Sequence, residues 1–278
     1  MTPGLLVYKI KSWLLYYWRA STKFNIQSPF FTEFVREVMD INKEYYIFDR
    51  IEQSRKKLLS DDTKIPKIDF GAGSQKINKN DNLRIKDIAV NSLSSKKQCR
   101  MLFNLVVWHK PKTIIELGTS LGISTTYLAA VKKDILMTGF EGNPFIAEKA
   151  SGVLNENGIK HVNILTGPFA ETLPIFLKTN PKIDLAYIDG HHEEMATLLY
   201  FEMLLPYLSD YSVLIFDDIY WSQGMENAWK KICVHNSVSA TFDCFDMGIV
   251  FMRPGLTKEN ITFISYRFKP WKTGLFGR

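Results

Sequence analysis

Three cysteines in 278 residues, Cys99, Cys233 and Cys244, are too few and too irregularly spaced for a disulfide framework or a thiolate metal site. A reducing compartment suits such a chain, and the cytoplasm is the expected location. No apolar run approaches the ~20 residues needed to span a bilayer. The short apolar stretch from Trp13 to Trp18 is followed by no small-residue cleavage site, so no signal peptide is expected either. Charge of one sign is not in large excess. Lys and Arg number 35 against 29 Asp and Glu, a formal charge of +6, which permits acidic partners without demanding them. Also absent is G-x-G-x-x-G, the turn by which helix amides meet the pyrophosphate of a dinucleotide; this disfavours a nicotinamide oxidoreductase. The length and a hydrophobic content of 46% suffice for one α/β domain with an appendage.

What is present is a βαβ outline. Thr113 to Glu141 reads TIIELGTSLGISTTYLAAVKKDILMTGFE: an apolar strand, a glycine turn, a helix, a second strand and an acid at that strand's end. Gly118 and Gly122 allow a sharp turn and close backbone approach to a ligand. Ser124, Thr125 and Thr126 open the helix. Glu141 can accept both hydroxyls of a ribose, which points to an adenosine compound. The turn Glu116-Leu-Gly118-Thr-Ser-Leu-Gly122 carries an acid where a diphosphate would be repelled but an ammonium and a sulfonium would be welcome. S-adenosylmethionine has both.

On these residues the stretch resembles the class I methyltransferases, and E-L-G-T-S-L-G-I-S is similar to the turn of the cation-dependent O-methyltransferases typified by catechol O-methyltransferase. The resemblance covers roughly residues 96–253. It implies that Glu116, Gly118, Thr119, Ser120, Gly122 and Ser124 surround the methionine end, that Glu141 and Gly142 meet the ribose, and that Gly167 and Phe169, in the loop Thr166-Gly167-Pro168-Phe169, border the adenine. The chain continues as a doubly wound α/β protein should. A helix is expected over Pro144–Asn155, strand three at His161–Leu165, a helix at Ala170–Leu177, strand four at Ile183–Ile188 and strand five at Ser212–Phe216. A helix should then span Trp221–Val234, and a hairpin Ala240–Met252 about Asp246-Met-Gly248. The fold implied is a Rossmann-like seven-stranded sheet of order 3-2-1-4-5-7-6, its last strand antiparallel, with an N-terminal helical extension. The chain divides as an extension with a basic loop (1–95), the methyltransferase domain (96–255) and a C-terminal tail (256–278).

Strand four runs into Asp189-Gly190-His191-His192 and strand five into Asp217-Asp218-Ile219-Tyr220-Trp221. In a parallel sheet both ends face the cofactor crevice. Three carboxylates so crowded call for a cation, and a hard divalent ion such as Mg2+ suits oxygen ligands. In cation-dependent O-methyltransferases acids at these places bind magnesium, so the resemblance makes Asp189, Asp217 and Asp218 the metal set. Asp189 also borders the cofactor and the reacting atoms. The family's catalytic lysine, three residues past the first metal acid, is replaced here by His192, a base that titrates near neutrality. Strand ends reading I-D-G-x-H and F-D-D also occur in methyltransferases similar to sugar and antibiotic O-methyltransferases. The reading is therefore metal-assisted O-methylation of a small-molecule hydroxyl with His192 as base. Two alternatives stay open: a metal-independent methyltransferase directed at nitrogen or RNA, although the Asn/Asp-Pro-Pro-Tyr/Phe signature of amino methylation is missing, and a non-catalytic S-adenosylmethionine-binding module. Tyr220 and Trp221 would suit a ring-shaped acceptor.

The flanks are less explicit. Ile68-Asp-Phe-Gly71-Ala-Gly73-Ser74 is a second glycine turn, but the polar segment Gln75–Lys86 that follows shows no helix and no strand, so an exposed turn is expected, with a lid over the acceptor as the second reading. The cations from Arg55 to Lys112 read as a solvated face, with attraction of an anionic substrate or nucleic acid as the alternative; nucleic acid is not the expected partner. Leu6, Ile10, Trp13, Leu14 and Tyr17 form one helical stripe, expected to pack on the catalytic domain, cover the acceptor site or join a homodimer. Peripheral membrane contact through Trp13, Tyr16, Tyr17 and Trp18 is the alternative. A helix should start at Ser28-Pro29 and run to Met39. The tail with Tyr266, Phe268 and Trp271 carries no derivable role.

Overall fold

Apolar runs form the central strands, and mostly amphipathic segments form the helices, in a computed structural model that describes residues 3–69 and 76–271. In chain order the elements are α1 (Pro3–Arg19), α2 (Pro29–Glu37), α3 (Tyr46–Leu59), β1 (Lys64–Asp69), β2 (Lys76–Arg84), α4 (Ile85–Ser92), α5 (Lys96–His109), β3 (Thr113–Leu117), α6 (Ile123–Ala129), β4 (Leu136–Glu141), α7 (Pro144–Glu156), β5 (Val162–Thr166), α8 (Phe169–Leu177), β6 (Ile183–Ile188), α9 (Glu194–Leu204), β7 (Leu208–Asp217), α10 (Gln223–Val234), β8 (Ala240–Asp243), β9 (Met247–Phe251) and β10 (Glu259–Thr262). The main sheet has the order β5-β4-β3-β6-β7-β9-β8-β10. Counted from β3, this is the expected 3-2-1-4-5-7-6 with one strand added at the edge. β9 runs antiparallel to both β7 and β8, as the hairpin about Asp246 and Gly248 requires.

Two compact units make up the chain, residues 36–181 and residues 1–35 with 182–278. In the first, β3, β4 and β5 are parallel. Its helices enclose a core of Phe48, Ile51, Leu58, Cys99, Phe103, Leu121, Ile123, Tyr127 and Val153. Local signals fix the helix starts. Ser95 accepts from the Gln98 amide while the Gln98 side chain accepts from the Ser95 amide, a reciprocal box that satisfies two otherwise orphaned donors. Asn143 caps α7 ahead of Pro144, whose missing N–H costs nothing at that position.

In the second unit β6 and β7 are parallel; β6 is buried but for Asp184, and β7 is buried from Ser212 to Asp217. Phe31 and Phe34 of α2 pack edgewise on Phe251, and Phe34 also on Phe242. The Trp229 ring lies where any Cβ on Gly248 would be, so that glycine is what lets α10 seat against β9.

Three readings of the flanks are corrected. Lys76–Arg84 is a strand, not an exposed turn: it pairs antiparallel with β1, Lys64 opposite Arg84 and Asp69 opposite Lys76. A two-stranded ribbon is held by backbone pairing and needs no apolar alternation, so its polar sequence gave no sign. The glycine turn itself, from residue 70 to 75, and with it the lid reading, lies outside the described residues. The C-terminal segment supplies β10, parallel to β8 in the register Glu259–Ala240 to Thr262–Asp243. Finally, the apolar stripe of α1 does not pack inward. Leu6, Ile10, Trp13 and Leu14 are exposed, while Ser12 and Tyr16 are buried. The inward face is polar because it is hydrogen-bonded: the Tyr8 hydroxyl donates to the Glu226 carboxylate at 2.9 Å, and that of Tyr16 to the Phe263 carbonyl.

Candidate functional site

Each unit carries one half of the residues singled out from the sequence. In the first, β3 delivers Glu116 and then a turn whose backbone only glycine tolerates well: Gly118 has φ 101° and Gly122 φ 80°, with Ser120 between them at φ 47°. The amides of Gly118 and Thr119 both donate to the Phe140 carbonyl, at 2.9 and 3.0 Å, which ties the turn to the neighbouring strand. Gly122 has a second constraint. A Cβ there would sit 3.0 Å from the Ala150 side chain, so the close approach of the turn to α7 excludes any larger residue.

Glu141 is locked at the end of β4. One carboxylate oxygen accepts the Ser120 amide at 2.8 Å and the other the Asn143 amide at 2.9 Å. Burial pushes its pKa up, and the backbone amides of Asn143, Ser120 and Gly142 oppose that rise. Each oxygen keeps a lone pair for a further donor. The Gly167 amide donates to the Glu141 carbonyl at 3.0 Å, and so holds the loop after β5 against the same strand end; Phe169 behind it is buried. Glu116 lies deeper and is fully buried. The Ser124 hydroxyl donates to it at 2.6 Å and the Thr125 hydroxyl to its other oxygen. Burial raises its pKa to about 7, with the two hydroxyls opposing and the charge of Glu141 adding.

Two further contributors were not evident in the sequence. Ser92, at the end of α4, places its hydroxyl 2.8 Å from that of Ser120. Gly139 of β4 lies under the turn, its missing Cβ occupied by the side-chain oxygen of buried Thr119. Gly139→Ala should displace the turn and weaken S-adenosylhomocysteine binding about tenfold, the scale of one strained contact. Titration calorimetry checks this, and adding Thr119→Ala should restore affinity by removing the obstructing oxygen. Unchanged affinity in Gly139→Ala would show that the turn is not held from below.

In the second unit the ends of β6 and β7 bring Asp189 and Asp217 together on one phenol. Tyr187 contacts a carboxylate oxygen of each at 3.1 Å. A phenol carries a single hydrogen, so the second contact is satisfied only when one carboxyl is protonated. Burial, then the charges of Asp189 and Asp218, push the Asp217 pKa well above its ordinary value, and the Tyr187 hydrogen bond opposes that rise. Asp218 adopts φ 54° and its amide donates to the Asp246 carbonyl at 2.7 Å, so the β8–β9 turn sets its backbone. His192 places Nε2 3.7 Å from Asp189 Oδ1 and its ring 6.2 Å from that of Trp221. Burial lowers its pKa below the usual 6.5; the Asp218 charge opposes this and His191 adds to it. His191 turns away at φ 49°, its Nδ1 2.9 Å from the Tyr200 hydroxyl.

Two hard carboxyl groups meeting at one phenol are, once ionised, a donor set that suits a divalent cation. Among the described residues, however, no three His, Cys, Asp or Glu side chains are grouped to hold a metal ion. Tyr187 is the residue sequence reasoning missed here. Its signal was present, since a strand tyrosine two positions before Asp189 shares its face.

Comparison with known proteins agrees with this organisation. The model of a methyltransferase domain matches residues 115–219, which run from β3 beyond Asp218. No curated protein matches the chain in sequence. Solved structures similar to it include the Podospora anserina methyltransferase PaMTH1 with bound S-adenosylhomocysteine, at 15% identity and TM-score 0.56 over 82% of this chain and 97% of that one. The Bacillus cereus O-methyltransferase in complex with S-adenosylhomocysteine aligns at 16% identity and TM-score 0.54 over 79% and 96%. The O-methyltransferase TomG of Streptomyces achromogenes, involved in tomaymycin synthesis and solved with S-adenosylmethionine, aligns at 16% and 0.54 over 80% and 95%. At these identities the likeness is one of fold. Together with the matched domain it makes the chain similar to methyltransferases.

Proposed function

We propose that this chain, with a methyltransferase domain over residues 115–219, binds S-adenosylmethionine and transfers its methyl group to a hydroxyl of a small molecule. The observation that carries the reading is Glu141, a carboxylate fixed by the amides of Ser120 and Asn143 immediately beyond a left-handed glycine turn. Each amide takes a different carboxylate oxygen, and each oxygen has a further lone pair for one of two hydroxyls on adjacent carbons, as in a ribose. The related structures that carry S-adenosylmethionine or its demethylated product support the same assignment. Gly118, Thr119, Ser120 and Gly122 shape the turn around the methionine end. Glu116, buried beneath with Ser124 and Thr125, offers negative charge to its ammonium.

His192 is the base. Burial keeps its imidazole neutral at pH 7, and a neutral imidazole takes the proton from an acceptor hydroxyl as oxygen attacks the methyl carbon. Trp221 beside it supplies an apolar wall. Asp189 and Asp217 are the residues that would hold a divalent cation, with Asp218 next in chain; bound there, the ion would lower the acceptor's pKa. Positioning of oxygen, carbon and sulfur in line can contribute ~7 to 11 kcal/mol, and this is the chief service asked of the protein.

Calorimetric titration with S-adenosylhomocysteine tests the reading, with NAD as control and with magnesium omitted or added. Micromolar binding without response to NAD is expected, and Glu141→Gln should weaken it about tenfold, since its amide nitrogen can no longer accept from a ribose hydroxyl. Absence of binding by the parent chain would overturn the proposal. Binding without methyl transfer to any hydroxyl acceptor would leave a binding module.

A further inference from the structure

The outward face of α1 is the least expected surface of the molecule. Over roughly three to four turns it presents Leu6, Val7, Ile10, Trp13, Leu14 and Trp18, with Val7 65% and Trp18 79% exposed. A helix in a water-soluble protein normally turns such a stripe to the core. Here the opposite, polar face is the one that is held. The Tyr8 hydroxyl contacts the Ser222 carbonyl and Glu226, Ser12 also reaches Glu226 at 3.4 Å, and Lys9 lies 3.8 Å from the centre of the Trp221 ring.

The C-terminal segment extends the same surface. The Tyr17 hydroxyl donates to the Phe268 carbonyl at 2.9 Å, Lys269 donates to the Ala20 carbonyl at 2.7 Å, and the Tyr17 and Trp271 rings meet edge to face at 6.4 Å. Phe268 is 61% and Trp271 56% exposed. At the C-terminal end of α1, Phe24 packs against Tyr266, and Lys23 lies over both rings.

Charge decides what covers this face. Residues 1–32 contain Lys9, Lys11, Arg19 and Lys23 and no Asp or Glu; residues 260–278 contain Arg267, Lys269, Lys272 and Arg278 and again no acid. Lys11, Arg19, Lys23 and Arg267 are exposed along the apolar surface. A second copy docking on this patch about a two-fold axis would set these cations against one another, at a cost in like-charge contact. An anionic bilayer surface neutralises them. It also accepts tryptophan and tyrosine at the level of its headgroups and takes an apolar helix face into the acyl boundary.

We infer that α1 and the segment Tyr266–Trp271 form a peripheral docking surface for an anionic phospholipid membrane. Through Lys9 on Trp221, the membrane-facing helix is also in contact with the loop that carries the wall beside His192.

Sedimentation of the full chain with vesicles tests this independently of any methyl transfer. Vesicles of phosphatidylcholine alone are compared with an equal mixture of phosphatidylcholine and phosphatidylglycerol. Binding to the mixed vesicles, weakened by salt, and a blue shift of tryptophan emission are expected. Trp18→Ser should weaken binding about tenfold by removing buried apolar area, and Lys11→Glu by at least about fivefold through charge. Both positions are exposed, so an unchanged melting curve accompanies either variant. Failure of the parent chain to bind either vesicle would overturn the inference. So would a dimer in light scattering that Trp18→Asp converts to monomer without any vesicle affinity in the parent, since the face would then belong to a second copy.

Discussion

Replacing His192 by alanine is expected to lower kcat by ~10²- to 10⁴-fold, the range of a lost general base, with S-adenosylhomocysteine affinity unchanged. A base is useful when it is free of its proton at working pH. Burial depresses the His192 pKa below 6.5, and the charge of Asp218 only partly offsets this. At pH 7 the imidazole is therefore mostly neutral, which a lysine in the same position would not be without a far larger shift. Asp189 Oδ1 at 3.7 Å is too distant for a hydrogen bond.

The pH profile gives the sign. In the parent, kcat/KM rises with pH through the depressed pKa and is flat across neutrality. Asp218→Asn removes the charge that supports the protonated form, so the acidic limb moves to still lower pH. His192→Lys should recover activity only on the alkaline side. A His192→Ala enzyme with the parent's turnover and acidic limb would remove this residue from the reaction.

Much of this was legible because certain residues are locally determined. Gly118, Gly122 and Glu141 announce themselves by spacing, since a βα turn and the strand after it lie on contiguous chain. Strands β6 and β7 announce themselves as apolar runs ending in acids. Gly139 was not legible. Its requirement comes from Thr119 across the ladder, and a glycine inside a strand has many causes. Nor was the raised pKa of Asp217, which comes from burial and from the charge of Asp189 on the adjacent strand, neither of which is encoded next to it.

The stripe on α1 shows a different limit. Periodicity identifies which side of a helix is apolar, but burial depends on what that side meets. The sequence pattern of Leu6, Ile10, Trp13 and Leu14 is a true amphipathic signal. Tyr8, Ser12 and Tyr16 took the inward side because their hydroxyls find Glu226 and the Phe263 carbonyl, a set of partners more than two hundred residues away along the chain.

Glu116→Gln is expected to make the protein more stable at alkaline pH while weakening its hold on the cofactor. Unfolded, the carboxyl titrates at 4.5; folded, at about 7. Between those values the folded chain binds more protons than the unfolded one, so stability falls as pH rises. Stability associated with this group is fully present below pH 4.5 and lost by about pH 8. At ~1.36 kcal/mol per pKa unit the loss totals about 3 kcal/mol. Glutamine has no charge to desolvate, and the hydroxyls of Ser124 and Thr125 can turn to meet its amide. The variant should therefore match the parent at pH 4 and exceed it by about 3 kcal/mol at pH 8 in denaturant titrations. On the proposed function a cationic ligand offsets that penalty: an ammonium near the turn would favour the ionised carboxyl and lower its pKa. Binding of S-adenosylhomocysteine near pH 7 should then release protons from the parent, measured as a dependence of the calorimetric heat on buffer ionisation enthalpy, and release none in Glu116→Gln. Parallel stability curves for the two proteins between pH 5 and pH 8 would show that this carboxyl does not titrate there, and would separate Glu116 from recognition of the methionine end.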